Sequence, residues 1–200
     1  MKRGLLISFL LLFCAIASGH ELPKFTFGAE WSYSAAFFSS HRFYYIATEG
    51  YRIDDRGAST GYYSDGEVYL HGGINLNPKW NLSLFAGFAG IADYHGAIPV
   101  SLRATRYFGD NHLSDRWFSY MDLGSGFSLS NSPRELFTAK VGGGYRISLS
   151  RLTKLDFIAS LHYIHTHPDI NYHGTIIPDD SVGRNNANII SASFGLGITF

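Results

Sequence analysis

The chain has 200 residues, of which 46% are apolar and 16% aromatic, while charged residues reach only 16% where about a quarter is usual for a globular domain. Sixteen Lys and Arg balance 16 Asp and Glu, so there is no basic excess of the kind that tracks nucleic acid. A mean hydropathy of −0.01 excludes a bundle of spanning helices, each of which needs about 20 consecutive apolar residues.

At the N-terminus, Lys2 and Arg3 precede an apolar run over residues 5–17, and the small residues Ala17, Ser18 and Gly19 follow. A charged segment, a short apolar segment and a small-residue cleavage site define a secretory signal peptide, here residues 1–19, leaving a single domain over residues 20–200. Cleavage removes two cations, so 14 Lys and Arg face 16 Asp and Glu. It also removes Cys14, the chain's single cysteine, and with it any disulfide framework or cysteine metal site. Cys14 follows Leu11, Leu12 and Phe13, without the small residue a lipoprotein site needs just before its cysteine, so no lipid anchor is expected.

Beyond the signal the hydrophobicity repeats every second residue, which marks strands and assigns their faces. Residues 25–37 set Phe25, Phe27, Trp31 and Tyr33 against Thr26, Glu30 and Ser32, and residues 68–76 set Val68, Leu70, Ile74 and Leu76 against Tyr69, His71 and Asn75. Residues 82–91 are weaker, with Leu84, Ala86 and Phe88 against Ser83, Phe85 and Gly87. Residues 98–108 oppose Val100, Leu102 and Ala104 to Ser101, Arg103 and Thr105; residues 117–129 oppose Met121, Leu123, Phe127 and Leu129 to Tyr120, Asp122 and Ser128. Residues 137–149 carry Phe137, Val141, Tyr145, Ile147 and Leu149 against Thr138, Lys140, Arg146 and Ser148, and residues 155–163 carry Leu155, Phe157, Ala159, Leu161 and Tyr163 against Asp156, Ser160 and His162. The last strand, residues 188–200, is the cleanest: Ile190, Ala192, Phe194, Leu196, Ile198 and Phe200 against Ser191, Ser193, Gly195, Gly197 and Thr199.

Eight such strands with no amphipathic helix leave no second layer to bury the apolar faces. The arrangement that needs none is an all-β, eight-stranded antiparallel up-and-down barrel, polar inside and apolar toward lipid, closed because lipid cannot satisfy an open strand edge. Its connections alternate as such barrels require. Residues 77–80 and 150–154 are short periplasmic turns and residues 109–116 a somewhat longer one. On the other side the first connection, residues 38–66, and the last, residues 168–187, are long outer loops, and residues 43–53 are compatible with strand continuing above the membrane. Trp80, Tyr107, Phe108, Trp117 and Phe200 gather at the periplasmic end, and Phe37, Tyr62, Tyr63, Tyr94 and Phe127 at the other, as two aromatic girdles.

These features together resemble the small outer-membrane proteins of the OmpA-transmembrane-domain and OmpX type, over the whole mature chain in architecture. The last strand, with Phe194, Leu196 and Ile198 leading to a terminal Phe200, is similar to the signal such proteins present to the barrel-assembly machinery. Residues 103–110 and 142–147 resemble segments of uncharacterised barrels from Bacteroides-type bacteria. The resemblance implies residence in the outer membrane of a Gram-negative cell, contact with outer-membrane lipid and lipopolysaccharide, and outer loops that meet an unidentified surface ligand. It implies no activity.

Eight strands enclose a space just wide enough for their own side chains, so inward charges must pack and pair. The alternation places Glu30, Glu67, His71, Arg103, Asp122, Lys140, Arg146, Asp156 and His162 inside. Counting from the turns brings Arg103 level with Asp122 and Arg146 level with Asp156, which predicts a structural ion-pair network. Two alternatives compete with a plugged lumen: a narrow channel, and a lipid A deacylase of the PagL type, whose motif is His-x-Ser facing lipid with a Glu on the next strand. Here Ser160 precedes His162, both point inward and the last strand has no Glu, so no catalytic residue is assigned. His165, His167 and His173 leave the membrane near His95, but no Cys or Glu joins them and no metal site is assigned. Arg42, Tyr44, Tyr45, Tyr51 and Arg52 of the first loop are residue types favoured in interfaces and equally suited to resting on lipid headgroups. There is no phosphate loop, zinc-protease helix or cofactor fingerprint, so no cofactor is expected.

Overall fold

A computed structural model describes residues 22–61, 63–91, 95–129 and 134–200; the expected signal peptide, Tyr62 and Tyr94 lie outside them. The strands are β1 (Phe25–Ile46), β2 (Arg52–Ser59), β3 (Tyr63–Asn77), β4 (Trp80–Ile91), β5 (His95–Tyr107), β6 (Arg116–Ser128), β7 (Glu135–Ser148), β8 (Lys154–Thr166), the two-residue β9 (Asn171–Tyr172) and β10 (Thr175–Ile176), and β11 (Val182–Thr199). Neighbours in sequence pair antiparallel from β3 to β8, β8 pairs with β11, and β11 returns to β1, which pairs with β3. The sheet is therefore a closed eight-stranded barrel, β2 being the upward continuation of the strand that β3 begins.

Closure rests on the β1–β11 ladder, which runs in register from Gly28 opposite Thr199 to Ala36 opposite Ser191. The two backbone bonds between Phe27 and Phe200, at 3.1 and 2.7 Å, finish it at the periplasmic end, and the two rings stack with centroids 5.2 Å apart. The exterior is apolar: Leu70, Val100, Leu123, Val141, Leu161 and Phe194 are all exposed. The interior is lined by buried serine, threonine and charged residues. This inverted polarity is what a membrane-spanning barrel requires.

The expected faces hold strand by strand, and four placements differ. Tyr63, expected in the outer girdle, stands opposite the inward Ala36 on the same period as Glu67 and packs against the buried Ile164 and Ile189. Tyr107, expected in the periplasmic girdle, points inward and is buried against Phe118. On β5 it follows Arg103 and Thr105 at the inward period, so the same alternation that assigned Arg103 also assigns it. The first outer connection is largely strand, since β1 runs on to Ile46, turns through residues 47–51 and comes back as β2. The last connection is shorter than expected, because β11 begins at Val182. Three strands thus rise above the other five as one wall.

Deleting Phe200 removes the terminal backbone pair and the stacked ring, and is expected to lower the heat-modifiable, membrane-integrated fraction. Wild-type levels of that fraction would remove Phe200, and with it the Phe194, Leu196, Ile198 and Phe200 series, from an assembly role.

Candidate functional site

The lumen is filled in layers, each built where inward residues of neighbouring strands come level. Nearest the periplasm, the β7–β8 register sets Arg146 opposite Asp156. Their fork is two-pronged, at 2.7 and 2.6 Å, and Thr199 accepts from the same guanidinium at 3.3 Å. Tyr107 lies between two guanidiniums, Arg116 at 4.0 Å and Arg146 at 4.6 Å from its ring centre. Gly144 on β7 makes this possible, because a Cβ there would run into the ring of Phe118 and the carbonyl of Phe157.

In the middle layer Arg103 sits opposite Asp122 on the β5–β6 ladder and donates to it at 3.0 Å. It also reaches across the lumen to Glu30 on β1, at 2.5 and 3.3 Å, so one cation serves two carboxylates. Its guanidinium is held between Phe85 at 3.8 Å and Tyr120 at 4.2 Å. The outer layer centres on Glu67, which takes Lys140 at 2.5 Å, Ser32 at 3.1 Å and His162 at 3.1 Å. Of the predicted lumen residues, Glu30, Glu67, Arg103, Asp122, Lys140, Arg146, Asp156 and His162 come together in these contacts. His71 does not join an ion pair: its ring stacks on Phe85 at 4.7 Å, and its Nδ1 has no protein partner.

Above Glu67 the lining changes character. Ala36, Ile91, Ala97, Leu136, Ile164 and Ile189 form a buried apolar layer with Tyr63 packed against it. Sequence reasoning missed this layer, although Ile164 continues the inward period of His162 and Ile189 that of Ser191. What space remains lower down is a cavity of about 30 Å³ among Glu30, His71, Arg103 and Asp156, room for about two waters.

Ser160 and His162 have separate partners. Ser160 Oγ meets Ser193 Oγ at 2.5 Å, while His162 Nδ1 meets Glu67, and both residues face the sealed lumen rather than lipid. His165 and His167 touch edge to face at 5.1 Å, but each makes its own hydrogen bond, to Asn188 and to the Glu135 carbonyl. Among the described residues no three metal-ligating side chains converge.

The raised wall has its own interior. Tyr45, Ile170 and Ile177 are buried together, with Phe43, Ile53, Tyr172 and Val182 against them, so residues 167–181 fold onto the wall's inner face. Arg134 ties this loop down through Asp169 at 3.3 Å and through Asp179. The hydroxyls of Tyr51 and Tyr172 share a hydrogen bond, which pushes the Tyr172 phenol up to about 12. The aromatic and arginine residues expected in the first loop are therefore split, Tyr45 inward and Arg42 and Tyr44 outward.

A closed eight-stranded barrel with a polar, packed lumen and an apolar exterior belongs to the class of small outer-membrane β-barrel proteins. One solved structure agrees on the fold, and two more align less closely. The outer membrane protein OprG from Pseudomonas aeruginosa aligns with a TM-score of 0.56 at 14% identity, over 91% of this chain and 98% of that one. Neisserial surface protein A aligns at 0.49 and 13%, over 88% and 97%, and the N-terminal beta-barrel domain of Pseudomonas aeruginosa OprF at 0.41 and 15%, over 86% and 97%. No protein-family model and no curated protein matches the chain, and the likeness to Bacteroides-type barrels stays an expectation of sequence.

Because Arg103 is shared, Arg103→Met strands two buried carboxylates and is expected to cost about 3–5 kcal/mol, whereas Asp122→Ala leaves Arg103 with Glu30 and costs less. Adding Asp122→Asn and Glu30→Gln to Arg103→Met should recover most of the loss. Urea unfolding in lipid vesicles reads this directly. Equal costs for the two single changes, or strict additivity in the triple, would break the shared-cation account.

Proposed function

We propose that this chain is exported by its residue 1–19 signal, assembles in the outer membrane with its short turns in the periplasm, and works through its outer surface. On this reading it supports envelope integrity or binds a ligand with the raised wall, and neither conducts ions nor cleaves lipid. The observation that carries it is the filled cross-section: three layers of paired charge and aromatic rings under an apolar seal of Ile91, Leu136, Ile164 and Ile189. An ion crossing would have to part several buried pairs at once and then enter an apolar layer. The buried network serves to fix strand register and hold the barrel closed, since each pair links residues on different strands.

The geometry also weighs against hydrolysis. Acyl transfer needs a nucleophile within hydrogen-bond reach of its base, beside the acyl chain it attacks. Ser160 donates to or accepts from Ser193 instead, and the carboxylate-bound His162 is sealed behind Leu161 and Tyr163 on the lipid side.

Planar-bilayer recordings of the folded protein are expected to show no steady conductance; a reproducible open state would replace this reading with the channel. Mass spectrometry of lipid A from expressing cells should show the same acyl chains with the wild type and with His162→Ala. Loss of a chain with the wild type alone would make the protein a hydrolase.

A further inference from the structure

At the turn end of the lumen two buried cations lack an acid. Arg116 opens β6 and Lys154 opens β8, and both lie on the inward period of their strands, each 7% exposed. The ladders set Arg116 opposite Arg146, and Lys154 opposite Ser148 and Thr199, one inward step nearer the turns. Asp156 is the buried carboxylate of this layer, and Arg146 takes it with both prongs. Glu30 and Asp122, the carboxylates next above, are both held by Arg103. The turns supply two more acids, and each is engaged: Asp110 pairs with Lys79 at 2.9 Å, and Asp115 accepts from the Ser148 amide at 2.8 Å. Among the described residues no carboxylate pairs with Arg116 or Lys154.

Their partners are neutral. Lys154 donates to the Ser148 hydroxyl at 2.5 Å and to the Ser150 carbonyl at 2.8 Å. The Arg116 guanidinium lies on the Tyr107 ring at 4.0 Å, and its Nη1 donates to the Pro78 carbonyl at 2.7 Å across the mouth. Its Nε is buried and has no protein partner. Arg146 forks Asp156, and Arg56 forks Asp54, through the edge formed by Nε and Nη2. On Arg116 that same edge meets no protein acceptor.

Buried charges need counter-charges, and like charges directly opposite on a ladder oppose folding. Arg116, Arg146 and Lys154 face Asp156 alone, so this layer carries two cations in excess. Two uncompensated cations call for a dianion, and a guanidinium edge matches two oxygens of a phosphate while a lysine meets a third as a point charge. We propose that Arg116 and Lys154 bind a phosphate dianion, free or as a small monoester, that enters the barrel mouth from the turn side. Both residues point into the lumen, inside the ring of turns, where a lipid headgroup outside the wall does not reach. His112 sits in the turn over this mouth, and burial, then the charges of Arg116 and Lys154, hold its imidazole below the ordinary range. A bound dianion reverses that field and makes His112 a third donor. The periplasm as the source of the ligand rests on the proposed orientation of the barrel; the binding itself does not.

The test is equilibrium dialysis of the full folded chain in detergent against radiolabelled inorganic phosphate at fixed ionic strength. Wild type should bind one phosphate per chain, and an equal concentration of succinate should not displace it. Arg116→Gln should weaken binding at least about tenfold, the loss of one charge-assisted pair, and Lys154→Gln about fivefold. Arg116→Lys keeps the charge without the fork and should fall between wild type and Arg116→Gln. Arg151→Gln removes an exposed cation from the same end and should change nothing. The heat-modifiable gel shift reports which variants are folded, and Lys154→Gln with Arg116→Lys decides the matter where Arg116→Gln is not. A wild type that takes up no phosphate overturns the assignment, as does unchanged affinity in these variants or an equal loss in Arg151→Gln. Displacement by succinate would make this a carboxylate site and overturns it too. Competition by glycerol 3-phosphate assigns the monoester as well as the free ion, and its failure assigns the free ion alone. Labelling of Ser114→Cys on intact cells by an impermeant reagent would overturn the orientation without touching the binding result.

Discussion

Everything in this molecule depends on β1 finding β11. Until that ladder forms, two strand edges lie open, and in hydrocarbon each unpaired amide costs several kcal/mol. Once it forms, every strand has two neighbours and the backbone is satisfied without water. The sequence meets this demand at both ends of the ladder: Phe27 and Phe200 lock it at the periplasmic girdle, and the long continuation to Tyr45 opposite Val182 carries it well past the membrane.

Closure at eight strands fixes the interior as a consequence. The lumen leaves room for about two waters, so its central charges are met by partners of the opposite sign, while the buried Arg116 donates to the Pro78 carbonyl. The pairing is not strand-local. Arg103 and Lys140 both cross the lumen, to Glu30 and Glu67. Such cross-lumen pairs form only when all strands sit in their final register, which makes the network a check on closure as well as a filling. Aromatic rings complete the cross-section where charge cannot, as Tyr107 does between Arg116 and Arg146.

Much of this was legible in the sequence because a period of two leaves only one choice once the lipid face is known. The eight strands and the inward charges follow from it, as does the pairing of Arg103 with Asp122, since the count from the periplasmic turn at residues 109–116 brings them level. Cross-lumen partners were not legible. Nothing local links Glu30 to Arg103, 73 residues apart; that contact depends on the shear of the closed barrel. His71 was placed inside correctly but not its stacking on Phe85, because period assigns a face and not a rotamer. Tyr107 shows the opposite case, where an aromatic near a turn outweighed the period that had already fixed its side.

The bulge at Phe37, where Ala36 pairs with Ser191 but Phe38 with Ile190, explains why the outer wall was harder still to read. A pattern that flips phase in mid-strand looks like the end of a strand, so the alternation read from residue 25 stops at Phe37, although residues 43–53 still read as strand above the membrane. Physically the flip is what gives the wall two useful faces. Without it Phe43 and Tyr45 would turn outward above the membrane, and Arg42 and Tyr44 would crowd over the mouth. With it the apolar residues close against Ile170 and Ile177, while Arg42 and Tyr44 continue the exposed outer surface. One inserted residue thus separates a sealed barrel from a charged wall, and turns an extension of the membrane-spanning ladder into a surface of different chemistry.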